Sequence, residues 1–402
     1  MPRPAPSRLA LLALFAVNVA AAQAGRLELT FADAVSRAES SPDLVVARAA
    51  QVVAERAIAV AGAPQAPTFT TSTHSATSRL GLALSAPLRW GGQRSAAVDV
   101  ARAERDAAVA EAAAALDRAR ELVSAAWFRL AVNEELEALA RARVERVERT
   151  AGAVKDLFDA GRVPRVDSVK AQAEAAAARA DVFAASAERW AASAELAFLV
   201  GLSPSTEIAA SGERPAVVAM PDLGTLLAKA ATSAPMQAAE ARGRAAAARL
   251  TKARREGLPA LTLEGGAEFD DPTQEGTDKH LALGLTIPIG ARAAVRVSSA
   301  ELDRDAAERA KLRRSIEEEV VGAWHRVEAA RRRLDALDRF TIPAAQEAAE
   351  LSRLAYREGR LELLRLLESE RALLDVQTNR VEAWALWGTQ RATLARLVGG
   401  RL

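Results

Sequence analysis

His74, His280 and His325 are the only imidazoles in this chain of 402 residues, which has no cysteine. No two of them have the spacing by which a helix face holds a metal. No glycine-rich phosphate loop or serine elbow occurs either. Gly265-Gly266 falls in a strand-like stretch, where glycine marks a bulge or bend. An active site, a resident metal and a cofactor are therefore not expected. The missing thiols exclude disulfides, thiolate metal sites and acylation at an N-terminal cysteine. The residues whose spacing carries information are charged. Asp167 follows Gly161 by six residues, Arg365 follows Gly359 by six, Glu368 lies one helical turn beyond Arg365, and Arg360 adjoins Gly359. Taken singly, on a solvated helix surface, such pairs contribute only about 0.3–0.5 kcal/mol each.

The elements that carry these charges are unusually long. Residues 92–160 contain no proline and, after Gly92, only Gly152 as a glycine, in a background of Ala, Leu, Arg and Glu, the best helix formers. One continuous helix there would be roughly 100 Å long. Leu116, Val123, Leu130, Leu136, Leu139, Val144 and Val147 recur at three- and four-residue spacing with charges between them, which makes a seam for partner helices. Residues 290–358 repeat the element with Pro343 as their one proline, and return helices are expected over 165–200 and 361–398. Shorter helical stretches precede each rod, at 42–61 and at 222–256 around Pro235. Leu29–Val35 begins the mature region, with Thr30 as a helix N-cap.

Gly161/Gly359 and Gly201/Gly399 are each 198 residues apart, and Trp127/Trp324 are 197 apart. The chain therefore reads as a duplication, with a first repeat over 25–210, a linker over 211–221 and a second repeat over 222–402. Ahead of each rod the period changes to two. Over 67–88, Leu80, Leu82, Leu84 and Leu88 alternate with Arg79, Gly81, Ala83 and Ser85, after a polar partner strand at Thr68–Thr73. Over 260–289, Leu281, Leu283, Leu285 and Ile287 alternate with small or polar residues, beyond an acidic loop at Asp270–Asp278.

Met1–Ala24 reads as a secretory leader: Arg3 and Arg8, an apolar run from Leu9 to Ala22, and a small-x-small cleavage site at Ala22-Gln23-Ala24. The whole chain has 54 Lys and Arg against 52 Asp and Glu, and losing two arginines with the leader balances them. That balance argues against nucleic acid as a partner. No later apolar run is long enough for a transmembrane helix, so an exported chain of this kind enters a membrane as β-strands. Four strands cannot close a barrel, and an open edge is not tolerated in lipid. Copies must pool their strands, and a dimer or a trimer would suffice. Trp90, beside a strand end, is the candidate for an interfacial aromatic, whereas Trp384 and Trp387 read as packing residues.

The chain resembles the outer-membrane efflux family typified by TolC. The residues carrying the likeness are Pro67–Pro87 running into Trp90-Gly-Gly-Gln-Arg94, Gly161-Arg-Val with Asp167-Ser-Val, Tyr356-Arg-Glu-Gly359-Arg-Leu-Glu-Leu-Leu, and the closing Phe198-Leu-Val-Gly201-Leu and Leu397-Val-Gly399. The resemblance implies a mainly α fold with a small transmembrane β part. Three chains of four strands each would form a 12-stranded β-barrel on a long antiparallel coiled-coil α-barrel that crosses the periplasm. It implies a homotrimer in the outer membrane, serving as exit duct for an inner-membrane pump joined through a periplasmic adaptor. Pro87–Arg94 looks most like the branch serving metal-cation exporters.

The family's pattern further implies lipid-facing Leu80, Leu82, Leu84, Leu281, Leu283, Leu285 and Ile287. Adaptor-docking tips would lie at Gly161, Arg162, Val163, Pro164, Gly359, Arg360 and Leu361, and a periplasmic gate at Asp167, Arg360, Arg365 and Glu368. Departures are visible. Arg365 replaces a residue that is often acidic, and the usual gating arginine falls at Leu361. The first hairpin is short at its tip, His74–Ser78, there is no lipid-bearing cysteine, and a minimal equatorial collar is expected. A reading from another class is a secreted structural coiled coil, an envelope spacer or adhesin stalk without a channel. Such a spacer needs neither the greasy hairpins nor rods that double back.

Overall fold

The computed structural model describes residues 26–64, 66–74, 79–88, 91–269 and 277–400. The leader, the first hairpin tip, Trp90 and most of the acidic loop lie outside them. Strand β1 (Leu27–Thr30) leads into helix α1 (Phe31–Arg37), whose N-cap Thr30 accepts a hydrogen bond from the Asp33 N–H. Helix α2 (Pro42–Gly62), strands β2 (Thr68–His74) and β3 (Arg79–Leu88), the rod α3 (Gln93–Asp159) and the return helix α4 (Arg165–Leu199) complete the first half. Strand β4 (Ile208–Ser211) follows, then α5 (Leu223–Ala230), α6 (Ala234–Glu256), β5 (Ala260–Phe269) and β6 (Asp278–Thr286). The second rod is α7 (Ala291–Ala336) with α8 (Ile342–Arg357), and α9 (Leu363–Leu397) returns from it.

The rods differ in one respect. α3 runs 67 residues without interruption, roughly 100 Å at the α-helical rise. Between α7 and α8 the helix widens into a π turn over Leu337–Thr341. The offset between repeats is 197 at Trp127/Trp324 and 198 at Gly161/Gly359, so the second rod carries one extra residue. A π turn takes up a residue without breaking the helix, and Pro343 sits just beyond it, at the first positions of α8 where its missing N–H is tolerated.

β2, β3, β5 and β6 form one antiparallel sheet in that order. Antiparallel partners share a face, so the register sorts the side chains. Leu84 pairs with Phe69 and Gly265, and Gly265 with Leu281; Leu263 pairs with Leu283, and Leu261 with Leu88 and Leu285. One face is therefore apolar. The other carries Thr70, Ala83, Gly266 and His280 in one row and Ser85, Glu264 and Ala282 in the next. No bulge occurs at Gly265-Gly266. Pairing runs unbroken, and a Cβ on Gly266 would lie 2.5 Å from the His280 ring, so the glycine makes room for that ring. Leu281 and Leu283 are 79% and 65% exposed, and Leu84, Leu285 and Ile287 are also bare. β2 and β6 have no further strand beside them among the described residues.

Midway along the rods sits an equatorial layer larger than the minimal collar expected. β1 pairs in parallel with β4, joining the start of the chain to the link between its halves. The Trp127 indole N–H donates to the Leu29 carbonyl at 3.0 Å, and the Trp324 N–H donates to the Pro221 carbonyl at 3.0 Å. Each rod thus straps down the segment that opens its own half. Under the layer, Trp127, Phe128, Trp384 and Trp387 are buried in one aromatic cluster, with Phe128 and Trp384 centroids 4.9 Å apart. A buried ion-pair chain braces its flank. Arg189 of α4 meets Glu137 of α3 at 2.7 Å and Glu207 beside β4 at 2.8 Å.

Gly388 shows how closely α3 and α9 approach in this layer, because a Cβ there would lie 2.3 Å from the Phe128 ring. Gly388→Ala is expected to destabilise the protein by about 1–3 kcal/mol through overpacking, despite alanine's better helix propensity. A thermal melt followed by helical circular dichroism checks this, and an unchanged or raised midpoint would show that the crossing has slack.

Candidate functional site

At the end of the rods far from the sheet, both hairpins reverse in the same way. Gly161 and Gly359 adopt left-handed φ of 69° and 72°, which glycine reaches without Cβ strain. The Gly161 N–H donates to the Phe158 carbonyl and the Arg162 N–H to Leu157, each at 2.8 Å. Gly359 and Arg360 repeat the pattern onto Tyr356 and Ala355 at 2.9 Å. This double bond closes a helix C-terminus and satisfies its orphan carbonyls. Pro164 and Glu362 then open α4 and α9. Gly161, Arg162, Pro164, Gly359 and Arg360 are exposed, while Val163 and Leu361 are half-buried. No side chain stands within 4 Å of where a Cβ would sit on either glycine, so backbone conformation alone selects them.

The two hairpins are held side by side by a small core of Val154, Ala171, Leu363 and Leu367, with Val163 and Tyr356 packed against it. Beside it lies a cleft of about 500 Å³, lined by Arg162, Val163, Asp167 and Lys170 of the first hairpin and Tyr356, Gly359 and Leu361 of the second. The tip and gate residues are thus brought together only in part. Asp167 and Tyr356 share the cleft, and burial, reinforced by the Asp167 charge, pushes the Tyr356 hydroxyl above the ordinary phenol pKa. That hydroxyl is buried and has no hydrogen-bond partner among the described residues. Arg360 instead pairs with Glu358, and Arg365 meets Glu368 at 3.1 Å along one helix. Within one chain these charges are satisfied locally. Tyr356 was legible only as part of the Tyr356–Leu364 motif, because its partner lies in the other repeat.

The outer membrane efflux protein family pattern matches residues 35–202 and 228–400. The chain belongs to that family. The cobalt-zinc-cadmium resistance protein CzcC of Cupriavidus metallidurans is 24% identical to it over 347 residues, covering 84% of this chain and 81% of that protein. In fold it is similar to CusC (TM-score 0.76, 16% identity, 95% of this chain and 96% of that one). It is also similar to the Vibrio cholerae outer membrane protein VceC (TM-score 0.73, 21% identity, 92% and 96%). Members of the family are passive outer-membrane channels that extend into the periplasm and act as exit ducts of tripartite efflux systems; they are not enzymes. The efflux protein described here is such a duct, and the spacer reading falls away.

About two helical turns above Asp167, the efflux protein has an ion-pair knot that none of the sequence motifs marked. Glu174 of α4 accepts from Arg143 of α3 at 2.6 Å and from Arg371 of α9, and Arg143 also reaches Asp181 at 2.5 Å. The hydrogen bond from Arg371, more than the one from Arg143, holds the Glu174 carboxyl below its ordinary pKa, and partial burial opposes them. The knot joins the two hairpins. A carboxyl with a lowered folded pKa adds stability above the unfolded value of about 4.3, and that stability is lost as pH falls through the folded value. Glu174→Gln is therefore expected to melt below the parent at neutral pH, with the gap closing as pH drops below about 4. A gap independent of pH would show that the charge on Glu174 does not bridge the hairpins.

Proposed function

We propose that the efflux protein works as a homotrimer whose twelve strands close a barrel in outer-membrane lipid. The rods of the three chains would form one α-helical tube below it, narrowed at the tips. The observation that carries this reading is a four-stranded sheet with one apolar face and two open edges, mounted on rods about 100 Å long. Leu82, Leu84, Leu281, Leu283, Leu285 and Ile287 then face lipid, and the His280 face lines the lumen. The tips at Gly161–Pro164 and Gly359–Leu361 dock the periplasmic adaptor, because they are the exposed reversals at the end remote from the sheet. The similarity to a protein named for cobalt, zinc and cadmium resistance supports divalent metal cations as the class of cargo.

Asp167, Arg360, Arg365 and Glu368 form the resting constriction, with Tyr356 beside Asp167 in the same cleft. Within each chain Arg360 pairs with its neighbour Glu358 and Arg365 with Glu368, exposed local pairs that can be exchanged for pairs between neighbouring chains around a threefold axis. Packed helices hold discrete arrangements, and a few charge pairs suffice to bias such an element. Crowding in a narrow, poorly hydrated pore strengthens each pair relative to bulk water.

Two outcomes test this. Leu283→Arg places a charge on the lipid face and is expected to cost about 2–4 kcal/mol near mid-bilayer, lowering the yield of heat-sensitive oligomer in outer-membrane fractions; normal assembly would count against the barrel. Asp167→Ala with Arg360→Ala is expected to raise single-channel conductance in planar bilayers and to admit large antibiotics to cells. Wild-type conductance in that double variant would remove the latch and leave the duct standing.

A further inference from the structure

A second cleft near the tips, of about 750 Å³, lies between the lower part of α3 and α8. Arg146 and Arg149 stand on its α3 wall, Arg353 and Arg357 on its α8 wall, and Arg162 at the tip end; Asp156 and Glu370 are the carboxylates that line it. Among the described residues only one of the five guanidiniums has a carboxylate partner there. Arg353 meets Glu370 at 3.0 Å, while Arg149 turns its Nε back to the Glu145 carbonyl at 3.1 Å. Arg146 is partly buried, and burial together with the nearby Arg353 and Arg149 charges lowers its pKa, against the pull of Glu370. Like charges are thus crowded along a groove with too few anions to balance them. Leu157 and Leu366 give the same groove an apolar floor.

The dimensions narrow what fits. The α3 wall from Arg146 to Ala160 spans four turns, about 21 Å, and the groove lies between two helices, the position a third helix takes when ridges pack into grooves. A small anion would occupy one end of it, and lipid lies a rod's length away. The groove also breaks the duplication. At the repeat offset of 198, Arg146 and Arg149 correspond to Ala344 and Glu347, so a basic wall occurs once per chain although the tips occur twice.

We infer that this groove binds an acidic helix of the partner that docks at the tips, a helix with an apolar stripe flanked by carboxylates at i, i+3 or i+4, and i+7. The inference rests on the docking reading above and adds the partner's chemistry to it. Because the groove is present once per chain, it selects one of the two otherwise similar docking registers.

Arg149 and Arg357 are both exposed, so reversing them leaves the core intact. The test uses the full-length oligomer in detergent and a fluorescently labelled, stapled helical peptide carrying glutamates at those positions, beside its glutamine and lysine counterparts. The glutamate peptide is expected to bind at least about tenfold tighter than the glutamine one, a difference of about 1.4 kcal/mol. Arg149→Glu with Arg357→Glu should lose that preference and bind the lysine peptide instead. Equal binding of the glutamate and glutamine peptides, or an unchanged preference in the variant, overturns the inference. Full displacement of the glutamate peptide by millimolar inorganic phosphate would also overturn it, in favour of a free-anion site. Planar-bilayer conductance of the same preparation reports on the duct separately, so a conducting channel that is indifferent to peptide charge defeats the groove and not the channel.

Discussion

Backbone amides and carbonyls have no water to bond in hydrocarbon, so a sheet placed there must leave no edge. The four strands of this chain obey that rule internally and violate it at both margins: among the described residues, β2 and β6 each present an unpaired side. The apolar face adds a second demand, since leucines as bare as Leu281 and Leu283 would make an aggregating patch on a water-soluble protein. Lipid on that face and further copies at the edges answer both demands together. In the oligomer proposed above, the rest of each chain has to hold its strands in register with those of its neighbours.

Register is kept by the equatorial layer and by left-handed glycines at matched positions. Gly92 and Gly290 begin the rods with φ of 75° and 104°, and Gly161, Gly359, Gly201 and Gly399 close helices in the same region of backbone space. Gln93 ties the start of α3 to the end of α6, its side-chain amide donating to the Arg255 carbonyl at 3.3 Å. The aromatic cluster and the Arg189–Glu137–Glu207 chain fix the middle. The Arg189–Glu137 pair is buried, so removing either partner would strand a charge at a cost of about 3–5 kcal/mol, whereas the pairs at the tips are exposed and contribute at most about 1 kcal/mol each. A well-packed middle and exposed pairs at the far end are what the proposed tube, gated at its tips, requires.

Much of this was legible in the residues. Long runs of helix formers without proline set the rods, period-two leucines set the strands, and glycines 198 residues apart mark the two matching tips. What was not legible depended on contacts between distant segments. β1 and β4 are four residues each, too short to show a period, and they exist because Trp127 and Ser193 hold their backbones. Glu174 looks like any solvated helix charge until α9 brings Arg371 to it from 197 residues away. Tyr356 is an ordinary helix residue until the Asp167 hairpin packs beside it. At Gly266 a glycine rule gave the wrong cause, because a ring on the next strand, not a bulge, requires the missing side chain.

In the proposed assembly three copies of the chain close the strand edges. Native mass spectrometry of the protein extracted from outer membranes in mild detergent tests it most directly. One dominant species at three times the mass of the mature chain is expected. That species should fall apart only under conditions that also abolish the β-signal. A dominant monomer or dimer under the same conditions would contradict it.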